Sequence, residues 1–317
     1  MSFQQFKYLD ALARHRHFGR ASVACNVTQP TLSAGIRALE QELGTRLVHR
    51  THRFEGLTAE GERVLAWAQR MLFEWENLRG NLLDVDACLS GRLRLGTIPT
   101  ALPAVSVITE RLCQQHPNVS ANVLSMTSNQ ILEGLEQFRL DIGLTYLNNE
   151  PLPDLETLPL YRERYVLLTP RDGPFGARRT VTWQEAATLR LCLLNGDMQN
   201  RRIIDGAFHQ AGADPTPRVD TNSIVTLCAH IHPGGWSSVL PAALLSTIVQ
   251  PAGAVGVPLV EPELTPTVGF VTRRTELPSR LITAAWSCAR DLPPHTLTGR
   301  DDELPLARVD SAGVTAD

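Results

Sequence analysis

The first sixty residues follow a helical rhythm. Phe3, Phe6, Leu9, Leu12 and Ala13 recur at helical steps and predict one helix. The stretch GRASVACN predicts a short second helix with Ala21, Ala24 and Val23 turned inward. After a tight connection at Asn26, Val27 and Thr28, the residues Leu32, Ile36, Leu39 and Leu43 are spaced 4, 3 and 4, one buried stripe of a third helix. Thr28 suits its N-cap, Pro30 its first turn and Gly44 its end. Gln29, Ser33 and Arg37 then share another face. The stretch TRLVHRTHRFEGLT predicts a two-stranded hairpin, with Val48, Phe54 and Leu57 inward and Arg50, His52 and Arg53 outward.

A long helix follows, capped by Thr58. Val64, Ala68, Met71, Trp75, Leu78, Leu82, Val85 and Leu89 alternate at steps of four and three, a heptad seam. Such a stripe packs either on the chain's own remainder or on a partner helix, and its regularity favours a second copy. Gly80 is a weak point in that helix, and Ser90-Gly91 reads as a hinge.

Beyond the hinge the period changes. RLRLGTI, VSANVLSM and DIGLTY read as strands, with helices at 101–115 and 129–138 between them, which implies parallel pairing through right-handed crossovers. A second series follows: YVLLTP, a helix near 183–187, RLCLLN, a helix at 200–211, PRVDT, a helix after Asn222-Ser223, and WSSVL. The chain returns through VGFVTRR and a helix over 279–290. This predicts two α/β lobes with a ligand cleft beyond their strand ends. Around it fall Pro99, Thr100, Ala101 and Leu102 after the first strand, and Thr127, Ser128 and Asn129 before the second helix. Asn195, Asn200, Arg201 and Arg202 face them from the second series, and Tyr146 closes the floor. Free N–H groups at helix ends and arginines suit a small carboxylate. Plain helix capping is the other role open to Thr100, Ser128 and Ser223, and surface ion pairing to Arg201 and Arg202.

Composition narrows the class. The chain has 317 residues and a net charge of −3, yet residues 1–60 carry eight Lys/Arg against five Asp/Glu, so basic charge is local to the helical start. No run of 18 apolar residues spans a membrane, and the start MSFQQFKYLD has no export signal, so a cytoplasmic location is expected. The six cysteines form no C-x-x-C, so buried thiols are the plain reading and a redox pair such as Cys192 and Cys228 the other. There is no G-x-S-x-G, P-loop, G-x-G-x-x-G or H-E-x-x-H. No catalytic residue, cofactor or metal is expected, and His15/His17 and His230/His232 read as surface or packing histidines. An α/β enzyme remains the less favoured alternative.

Two short helices, the second carrying Gln29, Ser33 and Arg37, followed by a basic hairpin, match a helix-turn-helix with a wing. Here the resemblance is specific. Thr28-Gln29-Pro30, Leu32-Ser33, Ile36, Leu39-Glu40, Leu43-Gly44, Leu47, Arg50, Leu57-Thr58 and Gly61 resemble the motifs of the LysR-type transcriptional regulators. Ala34, where arginine is frequent, and Val48, where an aromatic is usual, depart from that pattern. The resemblance implies DNA contacts at Gln29, Pro30, Ser33 and Arg53, with Thr31, Arg37 and Arg50 as further contacts. It implies dimerisation through the long helix and effector contacts after the first strand and around Thr127-Ser128. A fainter resemblance is to regulators of formate dehydrogenase operons.

The expected fold is α+β and α/β: a winged helix-turn-helix (1–58), a linker helix (59–89) pairing through Val64, Ala68, Met71, Trp75, Leu78, Leu82 and Val85, and a two-lobed periplasmic-binding-protein-like effector domain (90–298). Its lobes span about 92–162 plus 268–296 and about 163–267; a mobile tail (299–317) follows. Expected partners are double-stranded DNA, a small-molecule effector, a second copy as homodimer or homotetramer, and RNA polymerase, with no membrane. A redox-responsive regulator of the same architecture is the alternative function.

Overall fold

A computed structural model describes residues 2–50, 54–82, 88–231, 235–246, 253–275 and 278–298. The chain divides into two compact units, one built on Met1–Ala87 and the other on most of the chain from Cys88.

The first unit contains helices α1 (Phe3–His15), α2 (Phe18–Ala24) and α3 (Gln29–Leu43), a hairpin of β1 (Val48–Arg50) and β2 (Phe54–Leu57), and α4 (Ala59–Leu82). Phe6, Leu9, Leu12, Ala21, Leu32, Ile36, Leu39 and Leu47 form its core. Thr28 caps α3 and Gly44 ends it in the left-handed region at φ 66°. Two expectations are corrected here. Val23 is 75% exposed and Ala24 also faces outward, because the short helix α2 turns Ala21 and Ser22 to the core instead. Leu43 is 39% exposed, since the chain leaves the core at Gly44. Thr58 Oγ1 accepts from the Gly61 N–H at 2.9 Å and starts α4. A Cβ on Gly61 would lie 2.0 Å from the Leu47 carbonyl oxygen, so only glycine lets α4 cross the hairpin here.

In the second unit, β3 (Ser90–Thr97), a 3-10 turn (Pro99–Ala101), α5 (Leu102–Gln115), β4 (Asn118–Ser125), α6 (Ser128–Glu136) and β5 (Ile142–Tyr146) come first. β6 (Leu155–Arg162) then leads through Glu163 into β7 (Tyr165–Pro170). After it come β8 (Val181–Thr182), α7 (Trp183–Ala186), β9 (Cys192–Leu194), α8 (Gln199–Gln210), β10 (Val219–Thr221), α9 (Ile224–Ile231), β11 (Ser238–Pro241) and a 3-10 turn at Ala242–Ser246. β12 (Ala254–Val260), β13 (Thr267–Arg273), α10 (Arg280–Arg290) and α11 (Pro294–Thr298) complete it.

One sheet has the order β4-β3-β5-β13-β6, parallel at β4-β3-β5 and antiparallel at β13. Another has the order β11-β7-β12-β8, beside the parallel pair β9-β10. These define a first and a second lobe. The chain crosses between them at Glu163 and again before Thr267, and the Glu163 N–H donates to the Pro266 carbonyl at 2.9 Å, tying the two crossings together.

Strands β6 and β12 were not legible, because each contains a proline. Pro159 sits at a register irregularity of the edge strand β6, and Pro258 sits at the end of the β12–β7 pairing, before Leu259 and Val260 take β8 as partner. Val85, His52, Arg53, His232 and the tail 299–317 lie outside the described residues.

Candidate nucleic-acid interface and effector site

The recognition face is set by what lies behind it. Leu32, Ile36 and Leu39 are fully buried, which fixes the rotation of α3. Gln29, Pro30, Thr31 and Arg37 are exposed and Ser33 is half-buried. Positions 29, 33 and 37 form one stripe of a helix. The Thr28 and Thr31 hydroxyls share a hydrogen bond of 2.8 Å, so Thr31 is tied into the cap. A Cβ on Gly35 would meet the Tyr8 ring at 2.6 Å, so this glycine lets α3 seat on α1. His17, read as a surface histidine, caps α2: its Nδ1 accepts from the Gly19 and Arg20 N–H groups at 3.1 and 3.3 Å.

Glu40 is a structural determinant whose role the sequence motif did not disclose. Its buried carboxylate accepts from the Leu47 and Val48 N–H groups at 3.0 and 3.2 Å and holds the wing's first strand to α3. Arg50 lies in that hairpin, at the end of β1.

Part of the expected dimer seam is already engaged within the chain's own first unit. Ala68 is fully buried in its own domain, and Val64 packs on the same core, so neither presents an open face. The α1–α2–α3 core takes that side of α4. The apolar surface left open is Trp67, Met71, Trp75 and Leu78, joined by Phe3, whose ring lies 5.2 Å from that of Trp75. Trp67, Trp75 and Leu78 are 64%, 42% and 50% exposed, a contiguous apolar patch of large side chains. Helix α4 continues through Gly80 to Leu82.

Between the lobes lies a buried polar cluster. Tyr146 Oη, at the end of β5, donates to Glu163 Oε2 at 2.6 Å. Thr100 Oγ1 lies 3.2 Å from the same Tyr146 oxygen, and Asn200 Nδ2 donates to the Tyr146 and Tyr165 oxygens at 2.9 and 3.1 Å. Thr145 donates to Gln199 Oε1 at 3.3 Å. Burial raises the Glu163 carboxyl to about 8, while the Tyr146 hydrogen bond pulls the other way. Burial also raises the Tyr146 and Tyr165 phenols, with the Glu163 charge adding to it.

A second link joins the lobes nearer the surface. Arg202 on α8 pairs with Glu150 through its Nε at 2.8 Å and through Nη2, and Nη2 also donates to Ser128 Oγ at 3.4 Å. Ser128 is buried at the start of α6, where Thr127 and Gln130 cap each other.

The structure thus brings Thr100, Tyr146 and Asn200 together, and separately Ser128 and Arg202. Pro99 and Ala101 are buried beside Thr100 in the turn. Four expected residues stand apart. Arg201 is engaged by Asp205, Asp220 and the Leu194 carbonyl, so the ion-pair role holds there and its guanidinium is not available to a ligand. Leu102 and Asn129 point to the surface. Asn195 shapes the turn after β9, its N–H bonded to the Thr221 carbonyl and its carbonyl to the Met198 N–H. Glu163, Tyr165, Gln199 and Glu150 were not anticipated. The one sequence signal was an acidic residue, Glu163, set among tyrosines between two apolar strands.

Comparisons with known proteins agree with this architecture. Residues 3–62 match the family described as bacterial regulatory helix-turn-helix protein, lysR family, and residues 87–293 match the LysR substrate binding domain. The chain belongs to the LysR family of transcriptional regulators. It is 32% identical over 274 residues to the DNA-binding transcriptional dual regulator OxyR of Escherichia coli, covering 86% of this chain and 90% of that one. It is 28% identical over 268 residues to the regulator YbhD of the same organism, covering 83% of each chain. Full-length OxyR from Pseudomonas aeruginosa shares the fold with a TM-score of 0.75 at 26% identity, covering 93% of this chain and 99% of that one. CbnR in complex with its target DNA shares it with a TM-score of 0.66 at 21% identity, covering 92% and 99%.

As a LysR-type regulator the chain binds DNA through its helix-turn-helix, carries an effector-binding domain and assembles into oligomers. The family is one of regulators rather than enzymes. Among the described residues no helix is long and apolar enough to cross a membrane. The expected kinship with formate dehydrogenase regulators finds no support among these relatives.

Proposed function

We propose that residues 1–58 read an operator, that 59–89 pair two copies, and that 90–298 hold a small organic anion whose binding resets the lobes. Gln29, Ser33 and Arg37 enter the major groove, where glutamine suits adenine and arginine suits guanine. Pro30 and Thr31 let the helix end approach the backbone, and the wing arginines Arg50 and Arg53 contact phosphates or the minor groove. The observation that carries this reading is the rotation of α3, whose buried stripe leaves that polar stripe outward. A titration of a promoter duplex tests it. Arg37→Ala or Gln29→Ala should each weaken the specific site by about 1–3 kcal/mol and leave random duplex nearly unchanged.

For the effector, the start of α6 and Arg202 supply an anion's partners. The anion competes with Glu150 for Arg202, so binding exchanges a contact that links the lobes. Because the two lobe arrangements differ in that contact, they differ in affinity, as any effector response requires. The tetramer, contact with RNA polymerase, cytoplasmic location and lack of catalysis belong to the same reading; membership of a family of DNA-binding regulators supports the last two.

The peroxide-response names of several relatives raise the redox alternative for this chain. The pair Cys192 and Cys228 speaks against it. Cys192 and Cys228 are buried in the second lobe's core, and burial, with the Asp220 charge next, pushes the Cys192 thiol up to about 11. Thiolate is the reactive form, so these residues react slowly with peroxide. Dilute hydrogen peroxide should leave operator affinity unchanged; a thiol-reversible change would favour the redox reading.

A further inference from the structure

The interlobe cluster contains two acceptor atoms without a donor. Glu163 Oε2 is occupied by Tyr146, but Glu163 Oε1 has no hydrogen-bond partner among the described residues. Asn200 commits Nδ2 to two phenol oxygens, and its Oδ1 is likewise unpartnered. The two residues are only 2% and 4% exposed. Both bond to the same atom, Tyr146 Oη, which sets the two side chains beside each other. Leaving such buried acceptors unmade is costly, more so for a carboxylate.

The charge balance points the same way. The groups facing Glu163 are phenols: Tyr146 from β5, Tyr161 from β6 and Tyr165 from β7. Among the described residues no cation pairs with it, and its neighbour Arg164 is exposed. An incoming anion would bring no donor. A primary ammonium group brings three N–H donors, and its positive charge favours the ionised form of Glu163; aromatic neighbours suit an organic cation.

We propose that Glu163 and Asn200 form an amine subsite of the effector cleft, taking a primary ammonium between Glu163 Oε1 and Asn200 Oδ1. This rests on the effector reading above and sharpens it. With an anion held at Ser128 and Arg202, the effector class is amphoteric: a small amino acid or a compound shaped like one. An ammonium in that place touches residues of both lobes, through Asn200 of the second and the Tyr146-linked Glu163 at the crossing, so it favours their closed arrangement.

The test uses the full-length protein and saturation-transfer NMR with three probes: methylammonium chloride, tetramethylammonium chloride and sodium acetate. Methylammonium should bind and tetramethylammonium, which has no N–H, should not. Glu163→Gln should lower methylammonium affinity at least tenfold while keeping operator affinity and the circular dichroism spectrum. Asn200→Leu should do the same and serves if Glu163→Gln fails to fold. Equal signals from the two cations, or methylammonium binding unchanged in the folded variant, overturn the amine subsite. The acetate probe reports separately on the anion end. Acetate binding that is lost in Arg202→Ala, without methylammonium binding, leaves the anion reading standing and removes only the amine subsite.

Discussion

Tyr146 Oη lies 2.6 Å from Glu163 Oε2 and 3.4 Å from Tyr165 Oη, so one phenol at the end of a first-lobe strand meets both the crossing and the second lobe. The effector domain is therefore joined at its centre by hydrogen bonds among uncharged groups around a single acidic side chain. That arrangement makes the joint sensitive to proton uptake.

The first prediction concerns pH. Burial raises the Glu163 carboxyl from 4.5 to about 8, so the folded chain keeps a proton that the unfolded chain releases. The stabilisation this residue allows is complete below about pH 4.5, declines as pH rises, and is lost above about pH 8. The effect is on the order of a few kcal/mol at most. Thermal unfolding of Glu163→Gln across pH 5–9 should give a flatter profile than the parent, with the variant gaining at the alkaline end. Parallel profiles would mean that Glu163 is not the titrating group.

The second concerns the outer link. Arg202 holds Glu150 and Ser128, and its side chain is 37% exposed, so the pair contributes little to stability. Its effect should appear in binding. Glu150→Gln should raise affinity for small carboxylates several-fold by freeing Arg202, and Arg202→Ala should abolish it, as calorimetry would read. Carboxylate binding indifferent to both changes would move the anion elsewhere.

The third concerns assembly. Trp75→Glu puts a charge into the open apolar stripe of α4 and should weaken self-association by at least about tenfold in sedimentation, as expected for a central aromatic anchor. Ala68→Ser should leave the oligomer intact, since Ala68 faces its own core. The reverse pattern would restore the originally expected seam.

A fourth concerns Gly61. Gly61→Ala drives a methyl group against the Leu47 backbone and should cost about 1–3 kcal/mol, lowering the midpoint of thermal unfolding. A variant as stable as the parent would show that the hairpin yields.

Legibility differed by element. The helix-turn-helix could be read because its signals are local: Thr28 caps, Gly44 stops, and Leu32, Ile36 and Leu39 repeat at helical steps. The alternating strands and helices of the effector domain were readable for the same reason. What was hidden depends on partners far along the chain. Pro159 and Pro258 mask real strands, because strand pairing tolerates them only at particular register positions. The α4 seam looked like a plain heptad, yet which of its faces is free depends on where α1 lies. Glu163 meets Tyr146, 17 residues away, and Asn200 meets Tyr146 from 54 away, so no local pattern announces the cluster. Arg201 and Arg202 look equivalent in sequence, but successive helix positions point apart, and only the second reaches the other lobe.

The decisive measurement is competitive binding of the purified protein to the duplex upstream of its own gene and to a shuffled duplex, at about 0.15 M salt. A Gln29–Ser33–Arg37 stripe presented twice should prefer the former by about 10³-fold or more, with the preference collapsing in Arg37→Ala. Equal affinity for the two duplexes, or a preference that survives loss of the whole stripe, would contradict it.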